Sequence, residues 1–186
     1  MKNIFKNTPN KCVDVSGEPI WLSRSVAVVG ILIFRNIETH EDFILLEKRS
    51  QKMDQPLKWC VPCGYIDWDE NGWECLVREV YEETNFLITE YKENIYFDNE
   101  KQPFFVNTNP SENRQNIALR HGIILNFDTS TFPLYVEKHK NEEIEEIKFV
   151  PLNEISKYDM AFHHDIAIKS FVDKYYSKIL KINENK

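Results

Sequence analysis

Gly64-Tyr65-Ile66-Asp67-Trp68-Asp69-Glu70-Asn71-Gly72-Trp73-Glu74-Cys75-Leu76-Val77-Arg78-Glu79-Val80-Tyr81-Glu82-Glu83-Thr84-Asn85-Phe86 is the stretch on which the reading of this chain turns. Its second half predicts a helix over Gly72 to Thr84. Trp73, Leu76, Val77 and Val80 recur at helical spacing, Tyr81 extends the apolar side, and Asn85 tolerates the left-handed conformation in which helices end. Between Asp67 and Glu83 stand seven acids (Asp67, Asp69, Glu70, Glu74, Glu79, Glu82, Glu83) against one base, Arg78. This local charge of −6 accounts for nearly all of the chain's net −7. On a helix, Glu79, Glu82 and Glu83 fall within an arc of about 100°, and Glu79 and Glu83 repel across one turn by roughly a few tenths of a kcal/mol. A hard divalent cation such as Mg²⁺ or Mn²⁺ would offset that repulsion, because carboxylate oxygens are its preferred ligands. The alternative is a solvated acidic face, the usual fate of a charge run. Arg78, four residues after Glu74 and four before Glu82, is placed to bridge acids along the helix.

Working outward, Ser25 to Phe34 (SVAVVGILIF) and Phe43 to Glu47 (FILLE) predict two core strands separated by a polar turn. A third short strand is expected at Leu57 to Val61, running into the loop Pro62-Cys63-Gly64. Phe86 to Phe97, Ile117 to Phe127 and Ile144 to Val150 read as further strands. Asp98 to Asn116, rich in Asn, Pro and Ser, is a long connection of the mobile or functional kind. Pro151 to Ile155 suggests a short helical turn, and His164 to Leu180 has the period of an amphipathic C-terminal helix. The pattern implies an α/β sandwich, a mixed sheet covered by helices in one domain.

The segment Gly64 to Phe86 resembles the Nudix box, G-x5-E-x7-R-E-U-x-E-E-x-G-U with U apolar. Gly64, Glu70, Arg78, Glu79, Val80, Glu82, Glu83 and Phe86 match; Asn85 stands where the family has glycine, and Cys63 replaces a glycine often found before the box. The flanks agree: Lys48-Arg49 ends the second strand, Trp59 to Gly64 is similar to a W-x-x-P-G-G lead-in, and Met160 to Asp165 is similar to an A-F-D-H element before the last helix. The resemblance implies a Nudix-like α/β/α sandwich, a single domain over residues 1–186 with its core at about 21–180 and its box at 64–86. It also implies hydrolysis of a diphosphate linkage in a nucleoside diphosphate derivative, with ADP-ribose or a sugar nucleotide favoured. Pro103, near where ADP-ribose-cleaving relatives carry a proline, tilts the same way. The alternatives are a nucleoside triphosphate pyrophosphatase that removes damaged nucleotides and a nucleotide sensor without catalysis.

By the same resemblance the Gly64 carbonyl, Glu79, Glu82 and Glu83 would hold Mg²⁺ or Mn²⁺, Arg78 would orient the carboxylates, and Glu70 would support the loop. The general base is a box glutamate or a later acid, Glu143 being the choice among Glu142, Glu143, Glu145 and Glu146; an exposed acidic hairpin tip is the alternative there. Arg49 and Arg114 are candidate phosphate partners, since Arg offers planar bidentate donors. Phe162, Phe104 or Phe105 would stack on a base, although core packing is the commoner role of Phe. His164 and His163 are candidates for substrate contact or proton transfer, against a solvent-exposed place near a helix start for at least one of them.

Composition bounds the rest. With 186 residues and 42% of them hydrophobic, the chain suits one globular core, and its acidic balance without a dense Lys/Arg run makes long nucleic acid a poor partner. The longest apolar run, Val26 to Phe34, is far short of the roughly 20 residues that span a bilayer, and no signal-like apolar region follows Met1-Lys2-Asn3. A cytoplasmic protein away from membranes is the expectation, and the resemblance adds a small nucleotide as substrate and, if the 98–116 segment mediates contact, a homodimer. Cys60-Val61-Pro62-Cys63 has C-x-x-C spacing, but no second pair of cysteine or histidine ligands follows at similar spacing. Ordinary strand-end cysteines are therefore expected.

Overall fold

The computed structural model describes residues 9–112, 115–133 and 142–176. Strands β1 (Lys11–Val15) and β2 (Glu18–Leu22) form an exposed antiparallel hairpin separate from the main sheet. The main sheet has eight strands: β3 (Ser25–Asn36), β4 (Asp42–Arg49), β5 (Trp59–Cys60), β6 (Cys63–Tyr65), β7 (Ile95–Phe97), β8 (Phe105–Asn107), β9 (Asn116–Phe127) and β10 (Ile144–Pro151). Its order is β10-β4-β3-β9-β7, with β5 beside β4, β6 beside β3 and β8 beside β9. β3 and β9 run parallel from Ser25↔Asn116 to Asn36↔Phe127, whereas the other pairs are antiparallel, so the sheet is mixed.

Alternation along β3 builds both layers. Val28, Leu32 and Phe34 face one core, shared with Leu76 and Val80 of helix α1 (Gly72–Thr84). Val29, Ile31 and Ile33 face the other, shared with Ala167, Ile168 and Phe171 of helix α2 (His164–Phe171). Strands buried on both faces read as continuous apolar runs rather than alternating ones, which is why Ser25 to Phe34 carries almost no polar side chain. The result is the α/β/α sandwich.

Several boundaries depart from expectation. Phe86 to Phe97 is not a strand: Ile88–Asn94 forms 3-10 turns and only Ile95–Phe97 pairs with β9. Tyr91 sits at a kink between two such turns, and Ile88 and Tyr91 both pack into the same core. Tyr91 stacks on Phe86 with ring centroids 4.6 Å apart, so both apolar residues reach the core under α1. The strand expected at Leu57 to Val61 shortens to Trp59–Cys60, since Leu57 adopts a positive φ of 62°. The connection from 98 to 116 contributes β8, whose Val106 pairs with Leu119. Pro151 to Ile155 is met by 3-10 turns over Leu152–Lys157. The last helix is regular to Phe171 and continues as a π-turn over Val172–Tyr176; the expected stretch 177–180 lies outside the described residues.

Candidate active site

Helix α1 starts on a capping box, in which Asn71 accepts from the backbone of Trp73 and Glu74 while Glu74 accepts from Asn71 N–H at 2.8 Å. Glu74 is thereby committed to the helix start, and the upstream partner of Arg78 is Glu70. Arg78 Nη2 and Nε donate to Glu70 at 2.5 and 3.0 Å, its Nη1 donates to Glu79 at 2.8 Å and Glu82 at 3.1 Å, and its Nη2 also reaches the Tyr65 carbonyl at 3.0 Å. One guanidinium thus fixes three carboxylates and the backbone of the strand that carries Gly64. It holds the Glu70 carboxyl well below its ordinary range, at about 2. The helix ends at Asn85 with φ 59°, so the residue in the glycine position of the box adopts the left-handed conformation that glycine would.

Gly64 is needed for close approach: a Cβ there would lie 2.0 Å from Glu79 Oε1. Glu79 is half-buried and burial raises its pKa, partly countered by Arg78. Glu83 is 4% exposed and accepts from Cys63 N–H at 3.0 Å; burial and then the facing Glu47 carboxylate push its pKa well up. Glu82 is the outermost of the three. Glu79 therefore lies against Gly64, Glu83 is bonded beside it at Cys63, and Arg78 links Glu79 to Glu82 and Glu70. Neighbouring carboxylates served by a single organic cation suit a hard divalent ion.

A second wall is basic and aromatic. Arg49, at the end of β4 and 7% exposed, donates Nε to the Asp54 carbonyl at 2.6 Å and lies 4.7 Å over the Phe162 ring, so two residues singled out separately in the sequence are in contact. Phe162 is carried by a turn zipped to Trp59, whose N–H donates to Asp159 O and whose carbonyl accepts from Ala161 N–H. His164 is buried, and its Nδ1 accepts from Val61 N–H at 3.3 Å; burial lowers its pKa to about 3 and keeps it neutral. That places His164 as a tie on the loop leading to Gly64, while His163 is exposed with φ 57°. Glu143 lies exposed at the start of β10, its carbonyl accepting from Ser50 N–H at 2.7 Å, and Glu142 pairs with Lys52 at 2.8 Å. Arg114 lies outside the described residues. Phe104 packs in the core against Phe171, but Phe105 is exposed.

A match to the NUDIX domain family model covers residues 24–171. The chain belongs to the Nudix hydrolase superfamily. Among solved structures, the NUDIX domain of Shewanella oneidensis NrtR complexed with ADP ribose is 17% identical with a TM-score of 0.62, covering 82% of this chain and 89% of that one. A bifunctional NMN adenylyltransferase/ADP ribose pyrophosphatase from Francisella tularensis, complexed with AMP and a Mn ion, is 19% identical with a TM-score of 0.61. That match covers 82% of this chain and 42% of that one. A C. elegans Ap4A hydrolase is 20% identical with a TM-score of 0.56 over 80% of this chain and 96% of that one. No curated protein matches the chain in sequence.

Two buried charged residues on the neighbouring strands escaped the sequence reading. Arg120, in the middle of β9, is 8% exposed, lies 5.4 Å over the Phe105 ring and has a buried Nε that finds no hydrogen-bond partner among the described residues, while its Nη2 lies 3.8 Å from Glu112. Register aligns Cys63, Val29 and Arg120 across three strands, so Arg120 shares a face with the loop before the box. An arginine inside an otherwise apolar strand was the signal, since a buried charge requires a partner. Glu47 was hidden in the same way within FILLE: it is fully buried and opposes Cys60 on β5.

Proposed function

We propose that this Nudix hydrolase cleaves the diphosphate linkage of a nucleoside diphosphate derivative, with ADP-ribose or a sugar nucleotide as substrate. The observations that carry the reading are Glu79 packed on Gly64, Glu83 bonded to Cys63 N–H beside it and Glu82 tied to the same helix by Arg78, with Arg49 over Phe162 and Arg120 over Phe105 carried by strands of the same sheet. The ADP ribose in the Shewanella complex and the activity in the Francisella protein's name support the substrate class.

The Gly64 carbonyl, Glu79, Glu82 and Glu83 would hold Mg²⁺ or Mn²⁺; when bound, such an ion supplies a water of lowered pKa and neutralises charge on phosphate oxygens. Arg78 keeps Glu79 and Glu82 in place, and Glu70 anchors Arg78. Arg49 and Arg120 offer planar donors to the diphosphate, and Phe162 or Phe105 a face for the base. Glu143 or a box glutamate takes the proton of the attacking water. Location in the cytoplasm and a homodimer using the 98–116 segment belong to the same proposal; among the described residues no helix is long and apolar enough to cross a membrane.

The test is a substrate panel with Mg²⁺ or Mn²⁺ and product identification by mass spectrometry. AMP and ribose phosphate from ADP-ribose are expected, with E82Q and E83Q each reducing turnover at least about 10²-fold. Pyrophosphate released from nucleoside triphosphates would instead indicate the sanitising reading, and tight nucleotide binding without products the sensor reading. Unchanged turnover in both variants would remove the metal-site assignment.

A further inference from the structure

The diphosphate site uses Glu83 but leaves its neighbours Glu47, Cys60 and Cys63 without a task. Glu47 and Cys60 oppose each other in the β4–β5 register, so their side chains share a face, and Cys60 Sγ lies 3.2 Å from Glu47 Oε1. The short loop Val61-Pro62 then returns the chain to Cys63 at the head of β6. One carboxylate oxygen of Glu47 and the sulfurs of Cys60 and Cys63 all lie within 4.8 Å of one another. Glu47 and Cys60 are fully buried, and the Glu47 carboxyl faces Glu83 as well as Cys60.

We propose that Glu47, Cys60 and Cys63 form a separate metal site for a thiophilic divalent cation of the zinc class, which fastens the loop carrying Gly64 to β4. A carboxyl group held in the interior beside two thiols is costly to charge, and a cation between the three converging donors is the compensation that the donor set invites. Donor chemistry selects the ion: thiolates favour zinc-like metals, whereas the all-oxygen set of Gly64, Glu79, Glu82 and Glu83 favours Mg²⁺ or Mn²⁺. The C-x-x-C pair lacked a second ligand pair in sequence; a third donor comes from β4, thirteen residues before Cys60, through strand pairing. On binding, two S–metal bonds and one O–metal bond form, the two thiol protons and any proton held by the Glu47 carboxyl leave to solvent, and nothing is oxidised or reduced.

Two consequences separate this site from the catalytic one. It is filled without nucleotide, and excess Mg²⁺ does not empty it. The experiment titrates Co²⁺ into the reduced, chelator-stripped full chain in saturating Mg²⁺, reading the ultraviolet thiolate-to-cobalt charge-transfer band and the visible bands of tetrahedral cobalt. One equivalent is expected to bind and to be displaced by Zn²⁺. C60S and C63S, each checked for folding by circular dichroism, are expected to lose the charge-transfer band, and E47Q to weaken Co²⁺ binding about 10-fold or more. No thiolate band in reduced protein would overturn the proposal, as would a band that survives in both serine variants and so arises at Cys12 or Cys75. Hydrolysis is not read in this test, so failure of the diphosphate reading leaves its outcome unchanged.

Discussion

Replacing Arg78 by glutamine removes the one cation shared by Glu70, Glu79 and Glu82 while keeping a side chain of similar reach. The largest quantified consequence falls on Glu70, whose carboxyl is held at about 2 against an ordinary 4.5, mainly by hydrogen bonds from Arg78. At about 1.4 kcal/mol per pH unit this corresponds to roughly 3 kcal/mol. The pair lies on the rim of the loop, where solvent screens it, so the expected loss of stability in R78Q is about 1–2 kcal/mol. The sign follows from linkage. Because the folded-state value is depressed, the stabilisation is fully present above 4.5 and is lost as pH falls towards about 2. Urea unfolding followed by tryptophan fluorescence should therefore show a gap between wild type and R78Q near neutral pH that closes across that acid window. A gap that is absent near neutrality, or that stays constant down to the acid limit, would refute the assignment of Arg78 as the electrostatic hub. The same variant should bind Mg²⁺ about 10- to 100-fold more weakly, since the carboxylates lose the group that orients them.

Leu76, fully buried where α1 meets the sheet, is expected to cost about 2–5 kcal/mol on truncation to alanine, read as a shift of the urea midpoint; a loss below about 1 kcal/mol would show that α1 is not clamped as described. Folding holds His164 neutral, with a pKa lowered from 6.5 to about 3. Its contribution is therefore present above 6.5 and declines as pH falls from there towards about 3, by up to roughly 2 kcal/mol at about pH 5. H164Q should lack that decline relative to wild type, and parallel stability curves would contradict it. Chelator treatment should abolish diphosphate hydrolysis and Mg²⁺ or Mn²⁺ restore it; turnover persisting in chelator would refute metal dependence.

The helix over Gly72 to Thr84, its left-handed end at Asn85 and the acidic face were legible from local spacing alone, because helical period, capping and like-charge crowding depend on residues within a few positions of one another. The long apolar strands were equally legible, since a strand buried on both faces must be apolar along its length. Two-sided burial also erased information there. Arg120 and Glu47 sit inside such runs, and nothing local to them states which strand lies alongside. The Phe86 to Phe97 segment shows a related limit: its apolar residues suit an alternating strand or a 3-10 turn, and packing of Ile88 and Tyr91 under α1 decided between them.

By itself the sequence determined the box, its family and the residues able to carry charge to a phosphate, because these follow from residue type and spacing. Only the tertiary structure decided that Glu74 caps its helix while Glu70 takes Arg78, that His164 is a buried tie, and that Arg49 meets Phe162. It also decided that Glu47 faces two cysteines. The physical reason is common to all four: each is a side chain with several partners open to it, backbone or side chain, and the winner depends on burial and register.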